Sequence, residues 1–355
     1  MSPRFAILGS GTIAKCHAYA IMSQRFFCAS DKAPSIRYVA SPTESRRTVF
    51  AKQNGVAEAL PPDELWLRDD YDSLVIAGPN RTHFEHLDRA ARCEHIRRIY
   101  IEKPVCCSQN ELNAIIDLQT ATLAEKTVHV GFQFMHYSGL RSALGFLQRN
   151  ELGRPLHFRI EYLHSGYLKK SYRVQRQERL MPWPKGGALA DLGSHGFSLA
   201  IAAFGNALIV DSAMRSGAFD DVPHNSDLCT QVSIRDLDSG AFGTIVASRV
   251  SAGAADDLMI EVRCESGAIK FASTCPDSFW LNQTGRQGWI LERPASDYRP
   301  NSVFPTPTAA AGFLRPLIHA HYLFMSDNAG NEFVADLNHG IAVQKLLLAA
   351  YLRLS

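Results

Sequence analysis

No apolar run in this chain approaches the ~20 residues that a bilayer-spanning helix needs, so a membrane is not an expected partner. Long runs of lysine and arginine are missing as well. Arg46-Arg47 and Arg97-Arg98 are short pairs, read most simply as solvated helix ends or loops, and the formal charge is only +2. That balance leaves no electrostatic footprint for a nucleic acid. None of the eight cysteines form a C-x-x-C pair, which argues against a zinc site or a disulfide framework and for reduced thiols in a cytoplasmic protein. The first strand begins almost at once, which leaves no room for a charged leader with a cleavage site, and a cytoplasmic location is expected. Internal repeats, low-complexity tracts and metal-ligand spacings are also lacking, and no metal is expected.

What the chain does contain is ordinary globular material, 46% hydrophobic and 20% charged. Its 355 residues are long for one compact domain, and two are expected, one over 1–130 and one over 131–355. Over the first part, short apolar runs (Phe5–Leu8, Ile36–Ser41, Ser73–Ala77, Ile99–Glu102, Val128–Gln133) alternate with helical patterns such as Thr82–Cys93 and Gln109–Ala124. That is the pattern of a doubly wound parallel sheet, with Ser108 as an N-cap. From about Pro155 the runs alternate apolar and polar residues (Leu156–Leu163, Leu228–Ile234, Gly243–Val250, Leu258–Cys264). Turn signals at Asp238-Ser-Gly240 and Glu265-Ser-Gly267 separate them. A largely antiparallel open sheet is expected there, with a long loop over Gly166–Gly187 and a closing helix over Asp336–Leu354. The fold class is therefore α/β, an N-terminal Rossmann sheet followed by an α+β domain.

Gly9, Gly11 and Ala14 match G-x-G-x-x-A directly after the first strand, with Thr12 and Ile13 opening the helix that would receive a pyrophosphate. An acid at the end of the second strand would select NAD by holding the ribose 2′-hydroxyl. That strand ends instead on Ser41, with Arg46 and Arg47 following, while Asp31 precedes it at the wrong end. A hydroxyl near a guanidinium suits a 2′-phosphate, so NADP is favoured and NAD is the alternative. Read as bland surface chemistry, the two arginines are charges on the next helix. Ile99-Tyr-Ile-Glu102-Lys103-Pro104 places an ammonium at the carboxyl edge of the sheet, where open α/β folds bind ligands. Asp191 and His195 stand four apart and share a face if helical. Alone, that pair reads as a surface pair or as a core histidine satisfied by a carboxylate.

Taken together, G-x-G-x-x-A, Pro79-Asn80-x-x-His83, Glu102-Lys103-Pro104 and Asp191-x-x-x-His195 resemble the glucose–fructose oxidoreductase, inositol dehydrogenase and rhizopine-catabolism (Gfo/Idh/MocA) family, in order and approximate spacing over nearly the whole chain. The resemblance implies an oxidoreductase of sugars, polyols or related compounds using NAD or NADP, assembled as a homodimer or homotetramer through the C-terminal sheet. The spacing of Ser41 and Arg46 is similar to that of NADP-using anhydrofructose reductases in the family. By the same resemblance, Pro79, Asn80, His83 and Glu102 join the cofactor site, and Lys103 lies near the nicotinamide and the reacting oxygen. His195 gives or takes the proton, and Asp191 orients a substrate hydroxyl. Gln133 and Tyr162 are candidate substrate contacts, with Tyr167, Lys169 and Arg173 on the long loop.

Acid/base chemistry supports the roles of the histidine and lysine, since imidazole titrates near neutrality and an ammonium stabilises a developing alkoxide. The chain departs from the family pattern at Gln133, in a stretch where many members carry an arginine, and at Ser198, where many carry an aspartate. Two further readings stay open. One is a non-catalytic cofactor-binding regulator, disfavoured because both Lys103 and His195 are kept. The other is a reductase of a non-sugar carbonyl or cyclic diol.

Overall fold

The computed structural model describes residues 2–28, 33–294, 312–326 and 333–354; Asp31 lies outside the described residues. The chain divides into two compact units, 1–136 with 297–340 and 137–296 with 341–355. The division follows His136 rather than residue 130, and a later segment returns to the first unit. Among the described residues no helix is long and apolar enough to cross a membrane.

The first unit is built on six parallel strands, β1 (Arg4–Leu8), β2 (Ser35–Ala40), β3 (Glu58–Leu60), β4 (Ser73–Ile76), β5 (Arg98–Ile101) and β6 (Thr127–Val130). They lie in the order β3-β2-β1-β4-β5-β6, the doubly wound arrangement in which the strand order reverses between β1 and β4. Every residue of β4 is buried, as are four of five in β1, because both faces of such a sheet are covered. The core on one face joins Phe5, Ile7, Val39, Val75 and Tyr100 to Ala14, Ala18 and Ile21 of the helix Thr12–Met22. Each fully buried Ile or Phe contributes roughly 1.5–3 kcal/mol.

The returning segment supplies the helix Leu314–Met325, which packs Ala320, Phe324 and Met325 into the same core. Gln24 pins it by donating from Nε2 to the carbonyl of Ile318 at 2.8 Å. Ser108 caps the helix Gln109–Thr120 by accepting from Glu111 N at 3.2 Å, as the sequence indicates. β6 is shorter than the apolar run Val128–Gln133. It stops before Gly131, and Gln133–His136 form a 3₁₀ turn. A Cβ at Gly131 would lie within 2.9 Å of the Glu102 carboxylate, so the chain passes that point as glycine.

The second unit holds eight strands, β7 (Pro155–Leu163), β8 (Leu208–Ser216), β9 (Cys229–Asp236), β10 (Phe242–Ser248), β11 (Asp257–Cys264), β12 (Gly267–Ala272), β13 (Phe279–Gln283) and β14 (Ile290–Glu292). Their order is β14-β13-β12-β11-β7-β10-β9-β8. Among the described strands only β7 and β10 pair with each other in parallel. Phe158, Ile160, Val232, Ile245, Ile260 and Val262 are buried, whereas Arg159, Arg235 and Arg263 on the same strands are exposed, which is the expected alternation. The helix Ser194–Phe204 covers the buried face, close enough that a Cβ on Gly196 would stand 2.5 Å from Ile245 Cγ2.

The segment 166–187, expected as a loop, contains two short helices, Lys170–Gln175 and Gln177–Leu180. The reason is a buried arginine. Arg173 pairs with Asp221 at 2.9 Å and donates to the carbonyls of Tyr167 and Leu168. A single π turn, Leu189–Gly193, follows and leads into Ser194–Phe204. Asp227 fixes the entry to that turn by accepting from Leu189 N at 2.8 Å. Gly187 leaves the carboxylate room: its φ is +112°, and a Cβ there would meet Asp227 Oδ1 at 2.3 Å.

Burial pushes the Asp227 carboxyl up to about 6 from its usual 3.8. The folded chain therefore takes up a proton in a range where the unfolded chain does not. The associated stability is fully present below pH 3.8 and is lost as pH rises through about 6, by ~3 kcal/mol at most. Asp227→Asn keeps an acceptor for Leu189 N but cannot ionise. Thermal midpoints measured from pH 4 to pH 7 should show the variant gaining on the parent toward neutrality. Parallel curves would show that Asp227 is not the group responsible.

Candidate functional site

In the first unit the sequence-marked residues gather at the carboxyl edge of the parallel sheet, because Gly9, Ser41, Ala77-Gly78 and Glu102-Lys103 directly follow β1, β2, β4 and β5. Gly9 is obligatory there. Its φ is +122°, and a Cβ would lie 2.4 Å from the carbonyl oxygen of Ala77. Gly11 caps the helix Thr12–Met22 with no side-chain hydrogen bond, and a Cβ on it would meet nothing within 4 Å. The N–H groups at Thr12 and Ile13 thus open an uncapped helix N-terminus beside unfilled space, while Ala14 is fully buried against the sheet. This cradle fits a pyrophosphate.

Ser41 accepts or donates with Ser10 at 2.9 Å between hydroxyl oxygens. The two arginines beyond it part company. Arg47 donates from Nη1 to the carbonyls of Ser41 and Pro42, both at 3.1 Å, whereas Arg46 is exposed. Asn80 sits in a 3₁₀ turn after Pro79. His83 is buried, with Nδ1 2.7 Å from the carbonyl of Pro104 and Nε2 3.1 Å from that of Gly78, and burial lowers its pKa. A neutral ring donates to only one of the two carbonyls, and the shorter contact joins His83 to the turn that carries half-buried Lys103. Glu102 is buried with its carboxylate 2.9 Å from His17 Nε2. Gln133 is buried too, its Oε1 lacking a hydrogen-bond partner among the described residues.

In the second unit His195 opens the helix Ser194–Phe204, is buried, and meets Tyr162 edge-on at 5.6 Å. Tyr162 lies on β7 with its hydroxyl 3.4 Å from Asp256 Oδ1. Burial, with Asp256 and Asp191 nearby, raises its pKa well above 10, so it stands as a neutral phenol at neutral pH. Asp191 lies on the π turn and is held by arginines: Arg249 Nη2 reaches its Oδ2 at 2.7 Å, and Arg179 Nη1 reaches the same oxygen at 3.4 Å. Ser198 is buried in the helix one turn on from His195.

Arg249 is the residue that sequence reasoning missed. It is buried at the end of β10, donates to the carbonyl of Arg179 at 2.8 Å, and lies over the Tyr167 ring. Burial works against its charge, but Asp191, Tyr167 and Asp227 outweigh it, and its pKa ends above the ordinary arginine value. The available signal was a lone arginine closing an apolar strand, Ile245-Val-Ala-Ser-Arg249. Among the described residues no group of three or more His, Cys, Asp or Glu side chains is arranged to hold a metal ion.

Two family descriptions match this chain: an oxidoreductase family with an NAD-binding Rossmann fold over residues 3–132, and the Gfo/Idh/MocA C-terminal domain over residues 141–270. Inositol 2-dehydrogenase of Rhizobium meliloti (strain 1021) is 27% identical over 148 residues, 41% of this chain and 41% of that protein. The match thus spans about two-fifths of that relative's length. Among solved structures, levoglucosan dehydrogenase in complex with NADH and levoglucosan superposes with a TM-score of 0.83. It is 21% identical, over 99% of this chain and 97% of that one. An inositol dehydrogenase homologue from Azotobacter vinelandii, complexed with NAD+, gives 0.82 at 16% identity, over 99% and 95%. These likenesses are of fold. The two family matches together cover most of the chain, and they establish that it belongs to the Gfo/Idh/MocA oxidoreductase family.

Proposed function

We propose that this chain is a nicotinamide-dependent dehydrogenase or reductase acting on a CH–OH group of a sugar, polyol or sugar derivative. The observation that supports it most directly is the glycine cradle at Gly9 and Gly11 with Lys103 on the same sheet edge. Relatives named for inositol and levoglucosan support the substrate class. The nicotinamide supplies or accepts the hydride.

The protein groups handle the charge and the proton. Lys103 offers an ammonium to the oxygen that gains negative charge as the carbon is oxidised. His195 takes the hydroxyl proton in oxidation and returns it in reduction. Asp191, paired with Arg249, accepts a hydrogen bond from a substrate hydroxyl. Gln133 and Tyr162 are substrate contacts, and Tyr162 acts there as a donor because its hydroxyl stays protonated. Pro79, Asn80, His83 and Glu102 complete the cofactor site.

NADP is the favoured cofactor, from Ser41 with Arg46 and no acid at the end of β2, and NAD is the alternative. The open face of the second sheet, where Arg159, Thr244, Glu261 and Arg263 line a depression of about 450 Å³ and Phe242 is exposed, is the proposed contact for a homodimer or homotetramer. Eight free cysteines fit a cytoplasmic setting.

Titration with NADPH and NADH, followed by a screen of sugars and polyols that includes levoglucosan and myo-inositol, tests the function through nicotinamide absorbance. Arg46→Ala should weaken NADPH binding while leaving NADH nearly unchanged, and equal losses would remove this arginine as the reader of a 2′-phosphate. On the substrate found, Lys103→Ala should lower kcat much more than it lowers cofactor affinity. His195→Asn should cost about 10²–10⁴-fold in kcat and abolish the pH-rate limb near neutrality. A variant that kept the limb would show that another group carries the proton.

A further inference from the structure

Beneath the cofactor edge of the first unit lies a chain of buried polar groups that the proposed mechanism does not use. Glu102 Oε1 is 2.9 Å from His17 Nε2, and His17 Nδ1 is 2.8 Å from His321 Nε2. Both histidines are fully buried, and Glu102 is 5% exposed. Three distant segments meet here. His17 comes from the inner face of the helix that follows the glycine turn, Glu102 from the end of β5, and His321 from the returning helix Leu314–Met325. Tyr100 packs the group in place, stacked on His321 at 4.7 Å and edge-on to His17 at 5.1 Å. Gly131 leaves the carboxylate room that a Cβ would take.

The direction of the chain follows from hydrogen-bond supply. Burial, with His17 and His129 beside it, pushes the His321 pKa well down, so His321 is neutral and carries one N–H. Its Nδ1 has no partner among the described residues. A bare acceptor there costs less than a stranded N–H, which places the proton on Nε2, pointing at His17 Nδ1. His17 then carries its own proton on Nε2 and donates it to Glu102. Donors are aligned toward the carboxylate, and aligned bonds in a dry site reinforce one another. The chain ends at His321, so it is no conduit for protons. What it does is hold one carboxylate oxygen fixed.

We infer that His17 and His321 are positioning residues for Glu102, holding its carboxylate in one orientation at the sheet edge so that its other oxygen is presented to the nicotinamide end of the cofactor. This rests on the cofactor role proposed above for Glu102. A carboxylate that could rotate freely would lose part of its binding energy to ordering it on each encounter.

The test is a double-mutant cycle on NADPH affinity, read by nicotinamide fluorescence, with thermal midpoints as a check on folding. Glu102→Gln and His17→Leu should each weaken NADPH about tenfold, and the double variant should be no worse than Glu102→Gln alone. His17→Gln, whose amide can still donate to Glu102, should stay within about threefold of the parent. His321→Phe keeps the ring stack on Tyr100 and should loosen NADPH by an intermediate factor, which serves if His17→Leu does not fold. In the cofactor-free protein, nitrogen-15 spectra should show the His17 proton on Nε2. Unchanged affinity in Glu102→Gln would remove the cofactor role of Glu102 and the inference together. Losses that add in the double variant, or a His17 proton found on Nδ1, would overturn the inference alone.

Discussion

A carboxylate withdrawn from water must be given donors, and this requirement shapes the polar interior of both units. Glu102 receives His17 and Asp227 receives the amide of Leu189, while the buried charge of Arg249 is met by the half-buried carboxylate of Asp191. In each case the partner comes from a different segment, 85, 38 and 58 residues away. The partner therefore fixes tertiary structure as well as charge. An unpaired buried carboxylate would cost several kcal/mol, so these pairs hold the β5 turn, the π turn and the end of β10 in place. The apolar cores supply most of the stability but are less particular about geometry. The buried pairs set where a few side chains stand.

The regular parts of the fold were legible in the sequence because they obey local rules. Continuous apolar runs become β1, β4 and β5, alternating runs become β7, β9, β10 and β11, and Ser108 caps its helix. What was missed depends on partners far away in sequence. β3 is three residues long, Glu58-Ala-Leu60, with only Leu60 buried, and no periodicity can announce it. The helices at 170–180 exist because Arg173 finds Asp221, 48 residues on. The helix Leu314–Met325 is apolar enough to be recognised as a core helix, but nothing in its pattern says which core it joins.

The same division applies to the candidate site. Gly9, Gly11 and Ala14 announce themselves because a backbone approach forces a residue type at a fixed spacing, and Gly9 against the Ala77 carbonyl is that constraint in atomic terms. Glu102-Lys103-Pro104 stands out because charge at the end of an apolar strand is unusual. His17 and His321 carry no such local mark, and Arg249 carries only the lone charge that closes its apolar strand. Each is a single polar residue in an apolar element, which in sequence reads as a satisfied core residue, and only its partner shows what it does. His17 lies six residues past Gly11 on the inner face of the first helix, a position where the apolar pattern alone would lead one to expect an alanine or leucine. Its imidazole matters because Glu102 and His321 are brought to either side of it.

Choice of cofactor turns on what the end of β2 offers. A carboxylate at that position would bind a ribose diol through two hydrogen bonds and repel a 2′-phosphate. Ser41 does neither, and its hydroxyl already exchanges a hydrogen bond with Ser10. Arg47 spends its Nη1 on the carbonyls of Ser41 and Pro42, so its contribution is to hold the turn rigid. Arg46 is exposed in the first turn of the helix Glu44–Asn54, and under the proposed NADP preference it is the arginine that would close over a phosphate. A guanidinium in that position gains a charge-assisted bond only when the phosphate is there. An exposed arginine costs little when NADH is bound instead. Selectivity built this way would favour NADP(H) without excluding NAD(H), which is a weaker filter than an acid at the strand end would provide.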